Sequence, residues 1–315
     1  MSKFLNKIIC GDCVEVLSKI GEPFADLIFA DPPFNIGYKY DKYHDKVKSK
    51  NYIAWTKDWM AACKKVLKAE GSFYIAIGDD YAANVKVIAD EMGLVLRNWI
   101  IWHYTFGQQM RNKFSRSHTH IFYFVNDKKN FVFNDYAVRV PSDRQLIYND
   151  KRANPAGKMP DDVWNGYPRV CGTFKERAGW HPCQMPESLL KRIISVSSKP
   201  GDCVLDPFNG SGTTVAAAYQ LGRNYVGVEM SEKYVENANE RLARLKKQQP
   251  SNLFLSPIEL NEIKQLISDF GVEAEKIATD NNLLFLFTNQ FAVRMNNQKS
   301  YSSERIIAAL KDLAG

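Results

Sequence analysis

The sequence predicts an α/β protein: a Rossmann-like, mostly parallel sheet with an inserted region and a small C-terminal helical unit. Three observations predict this fold. Short apolar runs of strand length alternate with amphipathic helical patterns in two blocks of the chain, before residue 95 and after residue 187. A segment rich in Pro, Gly and Asn with little periodicity separates the blocks, and two more helical patterns follow the polar stretch 246–252. With 315 residues, of which 45% are hydrophobic, the chain can bury such a core without disulfides.

The elements follow in a regular order. The first block predicts a strand, a helix, a strand and a helix at 26–30, 52–68, 72–77 and 81–92, and two strands at 95–102 and 120–125. The second block predicts a helix, a strand, a helix, a strand and a helix at 187–195, 203–205, 212–221, 225–228 and 232–245. The C-terminal helical patterns cover 257–270 and 303–313. We therefore divide the chain at 1–130, 131–180, 181–249 and 250–315, and expect the last part to be a separate helical unit.

The positive charge of the chain is concentrated in its middle. The formal net charge is +7, and residues 97–200 alone hold 17 basic and 8 acidic side chains. Aromatic side chains are interspersed among these cations, so the region could contact a phosphate backbone and stack on bases. A solvated basic face over an ordinary aromatic core is the alternative that composition leaves open.

Composition also argues against several classes of protein. No apolar run reaches the roughly 18 residues of a membrane span, and the N-terminal residues lack the apolar core of a signal peptide. Six cysteines are too few for a disulfide framework, so we expect a cytoplasmic protein without a membrane partner. Cys10 and Cys13 form a C-x-x-C pair, but no second pair accompanies it, and we predict no metal site because zinc needs about four ligands.

The first motif with chemical content is Asp31-Pro32-Pro33-Phe34, directly after the predicted strand 26–30. Two prolines make a rigid turn whose carbonyls remain available as acceptors. A carboxylate and carbonyls together can accept both hydrogens of a planar amino group, and Phe34 can stack on the ring that bears it. An ordinary strand-ending turn is the competing interpretation.

The second motif is Asp206-Pro207-Phe208-Asn209-Gly210-Ser211-Gly212-Thr213, in which a strand enters a glycine-containing turn and then a helix. Such a turn lets a ligand approach the backbone at a helix N-terminus. Asp206 could bind a ligand ammonium group, and Glu229, at the end of the next strand, could bind ribose hydroxyls. A dinucleotide-dependent oxidoreductase would account for this motif but not for the first one.

Together the two motifs resemble the signatures of the S-adenosylmethionine-dependent DNA amino-methyltransferases, in the order of their β group. Four shorter stretches, at 9–13, 67–77, 118–121 and 181–187 (His-Pro-Cys-Gln-Met-Pro-Glu), also resemble elements of that family in the expected order. Phe34 stands where tyrosine is commoner, and Cys183 and Met185 replace Thr and Lys of the usual motif. The resemblance implies a catalytic half at 1–130, a target-recognition insert at 131–180 and a cofactor-binding half at 181–249.

The resemblance also implies roles for individual residues. The catalytic turn would consist of Asp31, Pro32, Pro33 and Phe34. In it, Asp31 and the Pro32 carbonyl would hold the target amine, and Phe34 would stack on the base. The residues implied in binding S-adenosylmethionine are Asp12, Cys13, Gln184, Asp206, Phe208, Asn209, Gly210, Ser211, Gly212, Thr213, Glu229 and Met230. The insert supplies candidate DNA contacts, namely Arg139, Arg144, Arg152, Arg169, Lys175 and Arg177.

The implied activity is site-specific methylation of the exocyclic N6 of adenine in double-stranded DNA, by base flipping and direct in-line transfer. Adenine is preferred over cytosine N4 because aspartate leads the first motif. The alternatives are a cytosine-N4 enzyme, an RNA or protein-amide methyltransferase, and a non-catalytic DNA-binding module. A homodimer and a cognate restriction endonuclease are the further partners considered.

Overall fold

The computed structural model describes residues 3–108, 110–154, 157–172, 174, 176–247, 255–295, 301 and 303–314. The strands are β1 Lys7–Cys10, β2 Ala25–Ala30, β3 Leu67–Ile77, β4 Val95–Gln108, β5 Arg116–Val125, β6 Val163–Trp164, β7 Cys203–Asp206 and β8 Asn224–Glu229. The helices are α1 Cys13–Ile20, α2 Ser49–Val66, α3 Asp79–Glu91, α4 Asp143–Leu146, α5 Glu187–Ser197, α6 Thr213–Gln220, α7 Glu232–Lys247, α8 Pro257–Phe270, α9 Ala274–Thr279, α10 Asn281–Arg294 and α11 Ser303–Ala314. None of the helices in these ranges is long and apolar enough to span a membrane.

All the strands form one sheet in the order β1-β8-β7-β2-β3-β5-β4-β6. Neighbours from β1 to β3 pair in parallel, β5 is antiparallel to both β3 and β4, and β6 is parallel to β4. The predicted mostly parallel, Rossmann-like sheet is therefore confirmed. The insert contributes β6 to one edge of the sheet, so it is built onto the central domain.

The sheet is buried on both faces, which explains why its central strands are continuously apolar. Successive side chains of a strand point to opposite faces. Leu27 and Phe29 of β2 accordingly pack with α5 and α6, whereas Ile28 and Ala30 pack with α1, α2 and α3. Both predicted motifs begin where such buried strands end.

Several element predictions need correction. β3 begins at Leu67 rather than at 72, and β4 and β5 extend toward each other as a long hairpin, well beyond the predicted limits of 102 and 120. The elements β1, α1, α4, β6, α9 and α10 were not predicted from the sequence. α9 is only six residues long. α10 is buried around most of its circumference, so it lacks the clear amphipathic pattern by which surface helices are found.

The C-terminal helices have a core of their own that includes Ile263, Phe287 and Phe291, and they also contact the insert and α5. Val293 of α10 packs with Val138 of the insert and Val196 of α5. A buried ion pair also joins Glu262 of α8 to Lys191 of α5. Periodicity locates helices without showing what their outer faces contact, so the division of the chain at residue 250 stays a prediction.

Candidate active site

The two motifs meet because β2 and β7 are parallel neighbours, with Leu27 paired to Val204 and Ile28 to Leu205. The carboxyl ends of parallel strands lie at the same edge of a sheet, so Asp31 and Asp206 come together there. Their carboxylates are close enough for the charge on Asp206 to raise the pKa of Asp31. Residues far apart in the chain thus form one site.

A first cavity opens at this edge. It is lined by Gly11, Asp12, Cys13, Phe29, Asp31, Pro33, Tyr40, Lys42, Tyr43, Trp55, His181, Cys183, Met185, Leu190, Asp206, Pro207, Phe208, Asn209, Gly210, Ser211, Thr213, Thr214, Val228, Glu229, Met230 and Tyr234. Ten of the twelve residues that the sequence assigned to a cofactor line this cavity. The two exceptions are Gln184 and Gly212.

Gln184 is buried, and its side chain forms hydrogen bonds with the backbone of the insert. Its side-chain oxygen accepts from the N–H of Ala178 at 2.7 Å, and its amide nitrogen donates to the carbonyl of Glu176 at 2.8 Å. The residue lines a neighbouring second cavity instead of the first. Its role in binding the cofactor stays a prediction.

Gly212 is required by packing at the start of α6. It adopts φ 73°, and a Cβ there would lie 2.9 Å from the Cβ of Ala238 on α7. Its neighbour Gly210 has φ 44° and donates its N–H to Glu229 Oε2 at 2.8 Å. Glu229 Oε1 also accepts from Ser231 N–H at 2.9 Å, so this carboxylate braces the turn as well as lining the cavity.

Asn209 provides the strongest indication that the first cavity receives a polar ligand. Its side chain is only 3% exposed, yet neither its amide nitrogen nor its oxygen has a hydrogen-bond partner in the described structure. Leaving such groups unpaired costs roughly 1–3 kcal/mol each. A bound ligand with its own donors and acceptors would remove that penalty.

The electrostatics of the first cavity favour a cation. Burial, together with the Asp206 carboxylate, raises the pKa of Asp31 to about 7. Burial raises the pKa of Asp206 to about 7 and also raises the pKa of Glu229. Carboxylates that are desolvated in this way gain when a positive group enters, because the cation stabilises their ionised form.

His181 is held neutral at the wall of the same cavity. Burial lowers the pKa of His181 to about 4, and its Nδ1 lies 2.5 Å from the carbonyl oxygen of Cys183. The Nδ1–H therefore donates to that carbonyl, and Nε2 is left as an acceptor. Gly210 packs against the ring, since a Cβ there would lie 2.9 Å from Nε2.

The second cavity adjoins the first and shares Asp31, Tyr40, Cys183 and Met185 with it. Its other lining residues are Pro32, Phe34, Ile36, Gly37, Tyr38, Lys39, Gly78, Asp80, Trp102, Tyr104, Gly107, Arg116, His118, Thr119, Arg169, Val170, Cys171, Arg177, Pro182 and Gln184. It is thus aromatic and predominantly basic, and Phe34 faces it beside Asp31.

The loop after the first motif is fastened by hydrogen bonds. Tyr52 Oη donates to the carbonyl of Pro33 at 2.6 Å. The buried carboxylate of Asp45 accepts from the N–H groups of Asn35 at 2.6 Å and Tyr38 at 3.0 Å. These bonds place the ring of Tyr40 over the junction of the two cavities.

Of the predicted DNA contacts, Arg169 and Arg177 line the second cavity. Arg144 and Arg152 share Asp150 on an exposed loop. The guanidinium of Arg139 pairs with Asp135 at 2.6 Å and donates to the carbonyl of Gly157 at 3.1 Å inside the insert, and its contact with DNA stays a prediction. Lys175 lies outside the described residues.

Asp79, His118 and His120 bring their ligand-type atoms within 4.8 Å of one another. A hydrogen-bond network among these side chains and their neighbours explains why the three groups lie close together. Trp99 Nε1–H donates to His120 Nδ1 at 2.9 Å, which leaves the proton on Nε2 to face Asp79. Arg116 also pairs with Asp79 at 2.9 Å, so the carboxylate already has a cation.

Sequence analysis missed the aromatic wall of the first cavity, formed by Tyr40, Tyr43, Trp55 and Tyr234. Tyr43 stacks on Trp55 with ring centroids 5.6 Å apart. The tyrosine-rich stretch 38–43, directly after the first motif, was the available signal.

The mostly parallel sheet, with an acidic cavity and a basic cavity meeting at its carboxyl edge, is consistent with a Rossmann-like methyltransferase. The chain belongs to the DNA methylase family, whose model matches residues 25–240. It is 38% identical over 267 residues to the DNA adenine methyltransferase YhdJ of Escherichia coli K12, covering 78% of this chain and 89% of that protein. It is 35% identical over 237 residues to the type II methyltransferase M.HpaI of Haemophilus parainfluenzae, covering 75% and 74% of the two chains.

The fold is also similar to that of PvuII DNA methyltransferase, which is described as cytosine-N4-specific. The TM-score is 0.59 at 18% identity, and the match covers 84% of this chain and 93% of that one. At this level of identity the likeness concerns the fold alone.

Proposed function

We propose that this protein methylates the N6 amino group of adenine in double-stranded DNA, with S-adenosylmethionine as the methyl donor. The observation that carries the proposal is the junction at Asp31, where an acidic cavity meets a basic one. A sulfonium and an ammonium group suit the acidic side, and a base attached to a phosphate backbone suits the basic side. Membership in the DNA methylase family supports the same reaction.

In the first cavity, Asp206 would bind the ammonium group of the methyl donor and Glu229 its ribose hydroxyls. Asn209 would satisfy its unpaired amide on the same molecule. When bound, the donor supplies a methyl group that is already activated by its positive sulfur. The protein therefore has to provide position rather than chemical activation of that group.

In the second cavity, the flipped adenine would stack on Phe34 and present its amino group to Asp31 and the Pro32 carbonyl. Hydrogen bonds from both N–H groups direct the nitrogen lone pair toward the methyl carbon. The new N–C bond forms as the C–S bond breaks, and the sulfur keeps the electron pair. Asp31 or solvent then accepts the proton that the methylated nitrogen releases.

Adenine is preferred to cytosine because aspartate leads the catalytic turn and because a relative at 38% identity carries the name of an adenine enzyme. Cytosine N4 is the second candidate, since the PvuII enzyme shares the fold. RNA, protein amides and a purely DNA-binding role are other outcomes that an assay can reveal. We also propose that the protein acts in the cytoplasm, that it forms a homodimer and that a cognate restriction endonuclease accompanies it.

The test uses the purified chain with tritium-labelled S-adenosylmethionine and, in parallel, unmethylated DNA, RNA and protein. We expect label in DNA, as N6-methyladenine after hydrolysis. Modification-sensitive sequencing of a methylation-free host that expresses the chain then gives the target base and its sequence together. Label in N4-methylcytosine would select the second candidate, and no transfer to any substrate would contradict the proposal.

A further inference from the structure

The hairpin between β4 and β5 presents an aromatic side chain with no protein partner around it. Phe114, near its tip, is 100% exposed. Burying a phenylalanine stabilises a protein by roughly 1.5–3 kcal/mol, so full exposure forgoes that gain. Arg111 and Lys113 flank it and are exposed as well. This arrangement suits a ligand that offers phosphates to the two cations and an apolar gap, such as the space between stacked bases, to the phenyl ring.

The hairpin is placed beside the second cavity. Gly107 and Arg116, at the ends of the two strands next to the loop that carries Phe114, both line that cavity. Arg116 is anchored to Asp79 at 2.9 Å. The pairing of β4 with β5 shifts register between His103 and Gln108, and such bulges bend a hairpin and redirect its tip. The tip therefore projects from the rim of the cavity proposed to receive the flipped base.

We propose that Phe114 is a wedge that enters the duplex where the target adenine leaves its stack. Extruding a base costs a few kcal/mol in lost stacking and pairing. An apolar side chain that fills the gap offsets part of that cost, as inserted Phe, Leu or Met side chains do in other DNA-bending proteins. Arg111 and Lys113 would hold the hairpin to the neighbouring phosphates. This inference rests on the proposed function.

The test compares Phe114→Ala with Phe285→Ala, an exposed aromatic of α10 that lines neither cavity. Neither change removes a buried side chain, so both variants should fold. On fully paired DNA, Phe114→Ala should lower kcat/KM about 10- to 100-fold, because the open state loses its filler. Phe114→Trp should stay near wild type, and Phe285→Ala should match it.

A second substrate separates a wedge from general DNA affinity. When the target adenine faces an abasic site it is already loosened, so the Phe114→Ala defect should shrink to about two- to threefold. 2-Aminopurine at the target position should brighten less with the variant than with wild type. Equal activity on paired DNA, or the same defect on both DNAs, would overturn the wedge. Failure of the wild type on all DNA would instead overturn the proposed function.

An independent observation concerns the buried charges that link the cofactor turn to the C-terminal helices. The pairs are Arg241–Glu187 at 3.1 Å, Glu187–Lys191 at 3.3 Å, Lys191–Glu262 at 3.2 Å, Glu262–Arg294 at 3.1 Å and Arg294–Asp269 at 2.7 Å. We call this chain of alternating charges the relay. It runs from α7 through α5 to α8 and α10, and most of its side chains are almost fully buried.

One end of the relay holds the wall of the first cavity. Arg241 Nη1 donates to Thr213 Oγ1 at 3.0 Å and to the carbonyl of Ser211 at 3.2 Å. Arg241 Nη2 donates to Glu187, which is itself shared with Lys191. Because each buried charge needs its neighbour, the position of Arg241 depends on the next pair along the relay.

We infer that the C-terminal helices position the cofactor turn through Glu262. This second inference also rests on the proposed function. Glu262→Gln leaves Lys191 and Arg294 without full compensation, so Glu187 should turn toward Lys191 and release Arg241. S-Adenosylmethionine should then bind about tenfold more weakly, in keeping with the cost of disturbing a charged hydrogen bond. Glu262→Asp, which keeps the charge, should restore most of the affinity.

The matched control is Glu259→Gln, an equally buried carboxylate of α8 that caps its own helix and accepts from Tyr301 Oη at 2.8 Å. This control should lower the melting temperature while leaving the dissociation constant within about twofold of wild type, because it lies outside the relay. If Glu262→Gln does not fold, the double variant Lys191→Met/Glu262→Met still tests the relay: it removes the cation that would draw Glu187 away from Arg241, so affinity should stay within about twofold of wild type. Wild-type affinity in Glu262→Gln, or a loss of about tenfold in the double variant, measured by calorimetry, would overturn the inference. Absence of binding by the wild type would overturn the proposed function.

Discussion

The two cavities that meet at Asp31 are opposite in charge and in construction. The first is formed mainly by the ends of β2, β7 and β8, and its carboxylates have raised pKa values. The second is formed mainly by the 31–40 loop, β4, β5 and the insert, and it contains Lys39, Arg116, Arg169 and Arg177. A net charge of +7 conceals this contrast. The contrast between the cavities shows how one sheet edge can offer a site for a cation beside a site for a polyanion. It can do so because different segments of the chain line most of each cavity.

The strongest test of the comparison removes the carboxylate that lines both cavities. Asp31→Ala should lower methyl transfer by about a thousandfold or more, because the target amine loses its charged acceptor. The dissociation constant for S-adenosylmethionine should change only a few-fold, since Asp206, Glu229 and Asn209 remain. Single-turnover kinetics and calorimetry give the two quantities. Full activity in this variant would contradict the mechanism.

The next substitution changes the charge of the first cavity and leaves the second cavity unaltered. Asp206→Asn should weaken S-adenosylmethionine binding about 10- to 100-fold, because a buried carboxylate that pairs with a ligand ammonium is lost. Binding of DNA without the methyl donor should stay at the wild-type level. An equal loss of affinity for both ligands would show that the cavities do not act separately. Calorimetry for the methyl donor and fluorescence anisotropy for DNA give the answer.

The raised pKa values predict how stability depends on pH. Asp31 and Asp206 ionise near pH 4 in the unfolded chain and at about 7 when folded. Between these values the folded state holds more protons, so the unliganded protein should lose stability as the pH rises from about 4 to 7. A cationic methyl donor should offset this loss, and its thermal shift should grow over the same range. Scanning fluorimetry measures both trends, and Asp206→Asn should flatten them.

A smaller effect distinguishes two arginines of the insert. Arg177 is exposed at the second cavity, whereas Arg139 pairs with Asp135. Arg177→Ala should reduce the slope of log affinity for DNA against log salt by about 1, as expected for one lost phosphate contact. Arg139→Ala should leave that slope unchanged and lower the melting temperature instead. The reverse pattern would place the DNA surface elsewhere.

The smallest expected effect is at the stacking residue. Phe34→Tyr restores the residue that is commoner in the resembling motif and keeps the aromatic face, so kcat should stay within about twofold of wild type. Phe34→Ala removes the face and should lower kcat further while leaving S-adenosylmethionine binding intact. Steady-state assays on one duplex compare the two variants. Similar rates for Tyr and Ala would show that the ring does not stack on the base.

Much of the site could be predicted because it follows from local pattern. Each motif begins at the end of a buried apolar strand, and parallel strands bring their carboxyl ends to one edge. Asp31, Asp206 and the 208–213 turn could therefore be expected near one another before any contact was known. The β4–β5 hairpin and the C-terminal helices were likewise visible in part, as strand-like and helical patterns.

The sequence by itself determined the α/β class, the order of the motifs and the separation of charge along the chain, because periodicity and turn chemistry are local properties. Only the tertiary structure decided which partner each polar side chain takes. It turned Gln184 toward the insert, paired Arg139 with Asp135, and connected Arg241 to Glu262 across three helices. Such pairings depend on which distant segments pack together, and no local pattern contains that information.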